Sequence, residues 1–137
     1  MKIILLTLFL FSCYNEANTM LLEPNIEIKR DFFDNGSPRY EFTYKLGKLD
    51  GVSKTWDING NLISVVNYKD GMLSGEWKTF YTSGQLKNSV MYLNGKKHGV
   101  ELWYHPNGEK QSEVIYENNE IVSRMLRWDE QGRKINF

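Results

Sequence analysis

The sequence predicts an all-β protein: an open antiparallel β-meander of about nine or ten strands, built from 24-residue hairpin repeats. Three observations predict it. Glycines and tyrosines fall into columns when the chain is written from Glu27 in blocks of 24, with no gap across about 110 residues. Aromatic residues make up 14% of the chain, and 11 glycines stand against 3 prolines, a mix suited to short strands joined by Gly turns. No stretch after the first thirteen residues carries the 3.6-residue apolar period of a helix.

The chain has 137 residues, which suits one domain. Its 17 basic and 17 acidic residues cancel, and without Lys2 in the leader the balance is about −1. That argues against an electrostatically driven nucleic-acid partner. A single cysteine excludes an internal disulfide and a Cys-rich zinc site, and two histidines leave little for a His-based one. No cofactor is expected.

Residues 1–12 read as a signal peptide. One charge at Lys2 precedes an apolar run that, as a helix, rises about 15 Å, half of a hydrocarbon core of about 30 Å. The small residue at the cut is Ser12, followed by Cys13. Leu10-Phe11-Ser12-Cys13 resembles the lipobox of bacterial lipoproteins, and the only cysteine falls where that box needs it. The resemblance implies lipidation of Cys13 and a cell-envelope location. With Tyr14 next, it implies the outer membrane where the bacterium has one. An ordinary cleaved leader and a hydrophobic N-terminal strand are the other readings of these residues. Residues 13–26 have no period and contain Pro24, as a tether from a lipid anchor would; Met20-Leu21-Leu22 could dock on the body as a cap.

Residues 27–137 form the repeat domain. Gly36, Gly60, Gly84, Gly108 and Gly132 make one column, and Tyr44, Tyr68, Tyr92 and Tyr116 another. Phe32, Trp56, Phe80, Tyr104 and Trp128 are all aromatic; Phe42, Val66, Val90 and Val114 are all apolar. Gly47, Gly71 and Gly95 continue at Asn119, and Gly51, Gly75 and Gly99 continue at Ser123. Each block reads as two strands and two turns. In the third, Val100-Glu101-Leu102-Trp103-Tyr104 is a strand and His105-Pro106-Asn107-Gly108 a type I turn with a left-handed Gly, the common bulged hairpin loop. Ser112-Glu113-Val114-Ile115-Tyr116 returns to the second turn, where Asn119 replaces glycine as only Asn commonly can. Parity along the strands places the repeat aromatics, tyrosines and valines on one face.

Tyr92-Leu93-Asn94-Gly95-Lys96-Lys97-His98-Gly99, followed by Trp103-Tyr104-His105-Pro106-Asn107-Gly108, resembles a MORN-type repeat in its bacterial variant. Gly71, Gly75, Phe80, Tyr81 and Gly84 match the same phrases one block earlier. The resemblance covers residues 27–137, with the first and last blocks degraded as capping repeats usually are. Chains of this kind are similar to the YwqK-type antitoxin family. That likeness implies a non-enzymatic protein that binds a protein partner, as an antitoxin or immunity protein against a toxin. Its leader suits a toxin arriving from outside the cell. The resemblance also allows an envelope scaffold or a membrane-apposed structural module with no toxin target.

No nucleophile set, metal set or phosphate-cradling loop is legible. His98 and His105 read as exposed turn residues, Asp129 and Glu130 as a solvated turn. Lys96-Lys97-His98 is a short basic cluster that could meet anionic lipid or an acidic partner. The residues that leave the repeat pattern carry the functional expectation. Counted by parity, Trp77 and Trp103 fall on the opposite, variable face, with Tyr81, Gln85 and Trp103 in one row, Ile63 facing Trp77 and Lys87 facing Glu101. Trp77, Tyr81, Gln85 and Trp103 are therefore the candidate partner-binding residues. The competing reading is that this face is covered by sheet curvature or by residues 20–22.

Overall fold

The computed structural model describes residues 25–135. The leader, Cys13 and Met20-Leu21-Leu22 lie outside the described residues. Twelve strands form one antiparallel sheet: β1 (Ile26–Phe32), β2 (Pro38–Lys45), β3 (Lys48–Leu49), β4 (Gly51–Trp56), β5 (Leu62–Lys69), β6 (Met72–Phe80), β7 (Leu86–Leu93), β8 (Lys96–Tyr104), β9 (Lys110–Glu117), β10 (Glu120–Ile121), β11 (Leu126–Trp128) and β12 (Lys134–Ile135). The spatial order β1-β2-β4-β5-β6-β7-β8-β9-β11-β12 is a meander of ten. The two-residue strands β3 and β10 pair with β2 and β9 just ahead of β4 and β11. The expected open meander is what the chain forms. Among the described residues no helix is long and apolar enough to cross a membrane.

Two turn types alternate, each set by residue chemistry. At one end of the sheet the amides of Gly36, Gly60, Gly84, Gly108 and Gly132 donate to the carbonyls of Phe33, Asp57, Tyr81, His105 and Asp129 at 2.8–3.0 Å. These glycines have φ of 74–91°, the left-handed position of the bulged hairpin loop. In two of these turns an aspartate completes the loop: Asp57 Oδ1 accepts from the amides of Asn59 and Asn61, and Asp129 Oδ1 from those of Gln131 and Arg133. The Asn61 side-chain amide, donating to Asp57 Oδ2 at 2.9 Å, with the backbone bonds, lowers the pKa of Asp57, and the Arg133 amide lowers that of Asp129. At the other end two successive residues have positive φ: Leu46-Gly47, Asp70-Gly71, Asn94-Gly95 and Asn118-Asn119. This is the primed two-residue turn that matches strand twist.

The turns also stack between repeats. The amides of Gly71, Gly95 and Asn119 reach back to the carbonyls of Leu49, Leu73 and Lys97 at 2.7–2.9 Å. On the opposite rim, Tyr81 Oη donates to the Tyr104 carbonyl at 2.7 Å, and His105 Nε2 to the Trp128 carbonyl at 2.9 Å. Each repeat thus holds the next, as a stacked array requires.

Bulges decide which side chains share a face. Directly opposed residues in an antiparallel pair point to the same side. Trp77 stands opposite Val66 on β5 and Val90 on β7, and Glu101 opposite Val90 and Val114. Both therefore share the valine face, which corrects the parity assignment. The physical reason is the register shift at Thr79/Phe80: Lys87 is an extra residue on β7, so Leu86 stands opposite Phe80 while Val90 stands opposite Trp77. Ile63 and Lys87 accordingly do not stand opposite Trp77 and Glu101 in the ladder.

This valine face holds the core. Val90 and Val114 are only 3% and 2% exposed. With one sheet layer, that burial comes from tall neighbours in the same rows.

Candidate functional site: the valine face

Three elements build the site: β6, β7 and β8, with β9 and β11 extending it. Trp77 on β6 donates from Nε1 to Ser64 Oγ at 2.8 Å, and its ring centroid lies 5.9 Å from that of Tyr92. One repeat on, the same row holds Glu101, 5% exposed. Both its oxygens accept from Lys97 Nζ, at 2.9 and 3.0 Å. Lys97 also lies over the Tyr116 ring, 4.7 Å from its centroid. Burial opposes the charge on Lys97, but the hydrogen bond and attraction from Glu101 outweigh it and raise its pKa. Burial, with the nearby Glu101 carboxylate, pushes the Tyr116 hydroxyl up as well.

Trp103 on β8 stands opposite Asn88 and Ser112. It is 36% exposed and shared by two neighbouring hollows. One, of about 420 Å³, is walled by Trp77, Phe80, Tyr92, Lys97 and Glu101. The other, of about 520 Å³, is walled by His105, Met125, Arg127, Trp128 and Ile135. Together they form a trough along the valine face, apolar at its floor and charged at intervals. Lys110 lines a separate, smaller hollow with Glu109 and Trp128, its Nζ 4.9 Å from the Trp128 ring centroid.

The structure brings two of the four candidate residues together. Trp77 and Trp103 border the same hollow. Tyr81 and Gln85 do not share a row with Trp103 across neighbouring strands; they close one turn, where the Tyr81 amide donates to the Gln85 carbonyl at 2.8 Å. The Tyr81 hydroxyl is committed to Tyr104, and Gln85 Oε1 accepts from Ser83 Oγ at 3.2 Å. Ile63 and Lys87 also border the Trp77 hollow.

Two expectations about polar residues are corrected. Lys97 does not extend the basic cluster into solvent, because it turns onto Glu101. Both histidines are half-buried instead of exposed: His105 bonds the next repeat, and His98 Nδ1 is closed off from solvent with no hydrogen-bond partner. Sequence reasoning missed Tyr92, Lys97 and Glu101 as parts of the site. The available signal was that Lys97 and Glu101 share parity in one strand.

Among the described residues no three His, Cys, Asp or Glu side chains gather as a metal site. Fold and site together define a β-hairpin repeat protein with aromatic residues along its valine face. Residues 49–70, 73–94 and 97–118 match the family described as MORN repeat variant, each stretch starting 24 residues after the last. The chain carries three MORN repeats, a non-catalytic type of module. The flanking β1–β2 and β10–β12 segments continue the same hairpin pattern beyond the matched residues. No curated protein and no solved structure matches the chain.

Proposed function

We propose that this chain is a non-enzymatic MORN-type module that captures a protein partner on its valine face and is held at the cell envelope through lipid on Cys13. MORN repeats commonly mediate protein or membrane interactions. The observation that carries the reading is Trp103, a large aromatic more than one-third exposed at the junction of two hollows. Exposed aromatics beside pockets are what protein interfaces use as anchors. Resemblance to the YwqK-type antitoxins makes a toxin the partner, met at the envelope as an immunity protein would meet it.

Crosslinked capture from the native cell tests this with wild type, Trp103→Ala and Cys13→Ala. The proposal expects one toxin-like protein with wild type and with Cys13→Ala, and at least tenfold less with a folded Trp103→Ala. Undiminished capture by Trp103→Ala rejects the face. Unchanged mass and location in Cys13→Ala reject the anchor.

A second reading has its own observation. The face opposite the valines carries Val52, Met91, Val100 and Ile115, each more than one-third exposed. A membrane-apposed scaffold would lay this face on lipid. Vesicles of anionic lipid at low salt should then retain the Cys13→Ala protein, and absence of retention removes that reading.

A further inference from the structure

The meander ends in two unequal edges. β12 is two residues long, whereas β1 runs from Ile26 to Phe32 without proline. Its ladder with β2 is regular from Ile26 to Asp31. Among the described residues β1 has no neighbour on its outer side. An edge of that length is a template for another strand.

The direction of its free groups follows from one bond. The Leu46 amide donates to the Asn25 carbonyl at 3.0 Å, so Asn25 faces β2. Strand residues alternate, so the amides and carbonyls of Ile26, Ile28 and Arg30 face outward. A second strand must therefore pair its own outward residues with these three.

Charge then selects among the registers that a two-fold axis permits. An axis through Glu27 sets Glu27 against itself. One through Lys29 sets Lys29 against itself and Glu27 against Asp31. One through Arg30 sets Arg30 against itself. An axis through Ile28 sets Ile28 against Ile28, Ile26 against Arg30, and Glu27 against Lys29 twice. Glu27 and Lys29 then occupy the non-hydrogen-bonded pair, where side chains approach most closely. Both are more than half exposed, and within one chain they lie only 3.8 Å apart, so their charges already stand at this edge. Ile26 and Ile28 are exposed apolar residues that the pairing would cover in part.

We infer that β1 is a self-association edge: two copies of this chain join antiparallel through β1, with the two-fold axis at Ile28 and reciprocal Glu27–Lys29 pairs. The interface is isologous and closes at two, whereas β1 against β12 would be head-to-tail and open-ended.

Sedimentation equilibrium of the full chain tests this with a charge exchange. Wild type should sediment at twice the monomer mass. Glu27→Lys and Lys29→Glu, each alone, set like charges opposite one another and should raise the dimer dissociation constant at least tenfold. Mixing the two single variants restores both attractive pairs and should recover the dimer, as should the double exchange within one chain. Ile28→Pro removes an outward amide without touching the β2 ladder and should give a monomer. A monomeric wild type, as when residues 1–24 or another protein's strand occupy the edge, overturns the inference. So does a dimer indifferent to the exchanges, which would place the contact elsewhere, or a mixture that fails to recover.

Discussion

Trp77 and Glu101 occupy one slot in successive repeats, each between two buried valines on the same face, yet their chemistry is opposite. At Trp77 the slot is filled by an indole whose one polar atom finds Ser64. At Glu101 it is filled by a carboxylate that takes both its bonds from Lys97. The difference teaches that the repeat fixes the geometry of the slot and leaves its content open: the polar atoms of Trp77 and Glu101 are partnered there, whereas Ser53 Oγ, buried in the same slot one repeat earlier, has no hydrogen-bond partner. It also divides the hollow of about 420 Å³ by character: an aromatic wall on one side of Val90, an ion pair roofed by Tyr116 on the other.

Truncating the aromatic slot should have the largest effect. Trp77→Ala is expected to cost about 3 kcal/mol in denaturant unfolding, through lost packing beside Val66 and Val90 and the orphaned Ser64 hydroxyl. A loss under about 1 kcal/mol would mean that the slot is not part of the core.

The ionic slot should break next. Lys97→Met leaves a carboxylate that is 5% exposed without its counter-charge and should cost about 2 kcal/mol. Lys97→Met with Glu101→Leu should recover most of that loss. The Lys97 pKa is raised, so its contribution is full below its ordinary value of 10.5 and is lost as pH rises through the folded value. Wild type should therefore lose stability above pH 10.5 in a way the double variant does not.

The same comparison extends to the backbone. β8 runs unbroken through Gly99, at φ 100°, where an added Cβ would lie 3.4 Å from Met91 Cβ. The corresponding Ser123 has no such φ, and there the strand is interrupted between β10 and β11. Gly51, Gly75 and Gly99 also stand opposite Tyr68, Tyr92 and Tyr116 of the following strand, while Ser123 has no such neighbour among the described residues. Instead Ser123 Oγ accepts the Ile115 amide at 2.8 Å. Gly99→Ala should cost about 1–2 kcal/mol, and Ser123→Ala less, since it removes one exposed bond.

The smallest effect should be a gain. Leu46 sits at φ 50° and is 73% exposed, in the turn slot that Asp70, Asn94 and Asn118 fill elsewhere. Leu46→Asn should stabilise by about 0.5 kcal/mol. Thermal unfolding that shows no gain would mean that the leucine makes compensating contacts.

Period, turns and strand order were legible in the sequence because glycine, asparagine and proline act locally on φ. Gly108 and Asn119 announce left-handed positions without any tertiary information, and both adopt them. The faces were not legible. Parity counting treats a strand as unbroken, but the extra residue at Thr79/Phe80 shifts the count, and three residues around Gly99 pass opposite Met91 alone. Trp77 therefore moved from the variable face to the core row, and Trp103 came with it into the trough. Tyr81 looked like a surface anchor because its bond partner, the Tyr104 carbonyl, lies 23 residues away in the next turn. The Lys97–Glu101 pair stayed hidden because Lys97 was grouped with its sequence neighbours Lys96 and His98, which ladder alternation points elsewhere.

The central claim is that the partner meets the valine face. Site-specific photo-crosslinking in the native cell tests it most directly, with the reactive group placed at Trp103 in one chain and at Ile115 on the opposite face in another. Both positions are more than one-third exposed, so reach is equal. The account predicts one protein adduct from position 103 and none from 115. An adduct from 115 alone would contradict it and turn the molecule over.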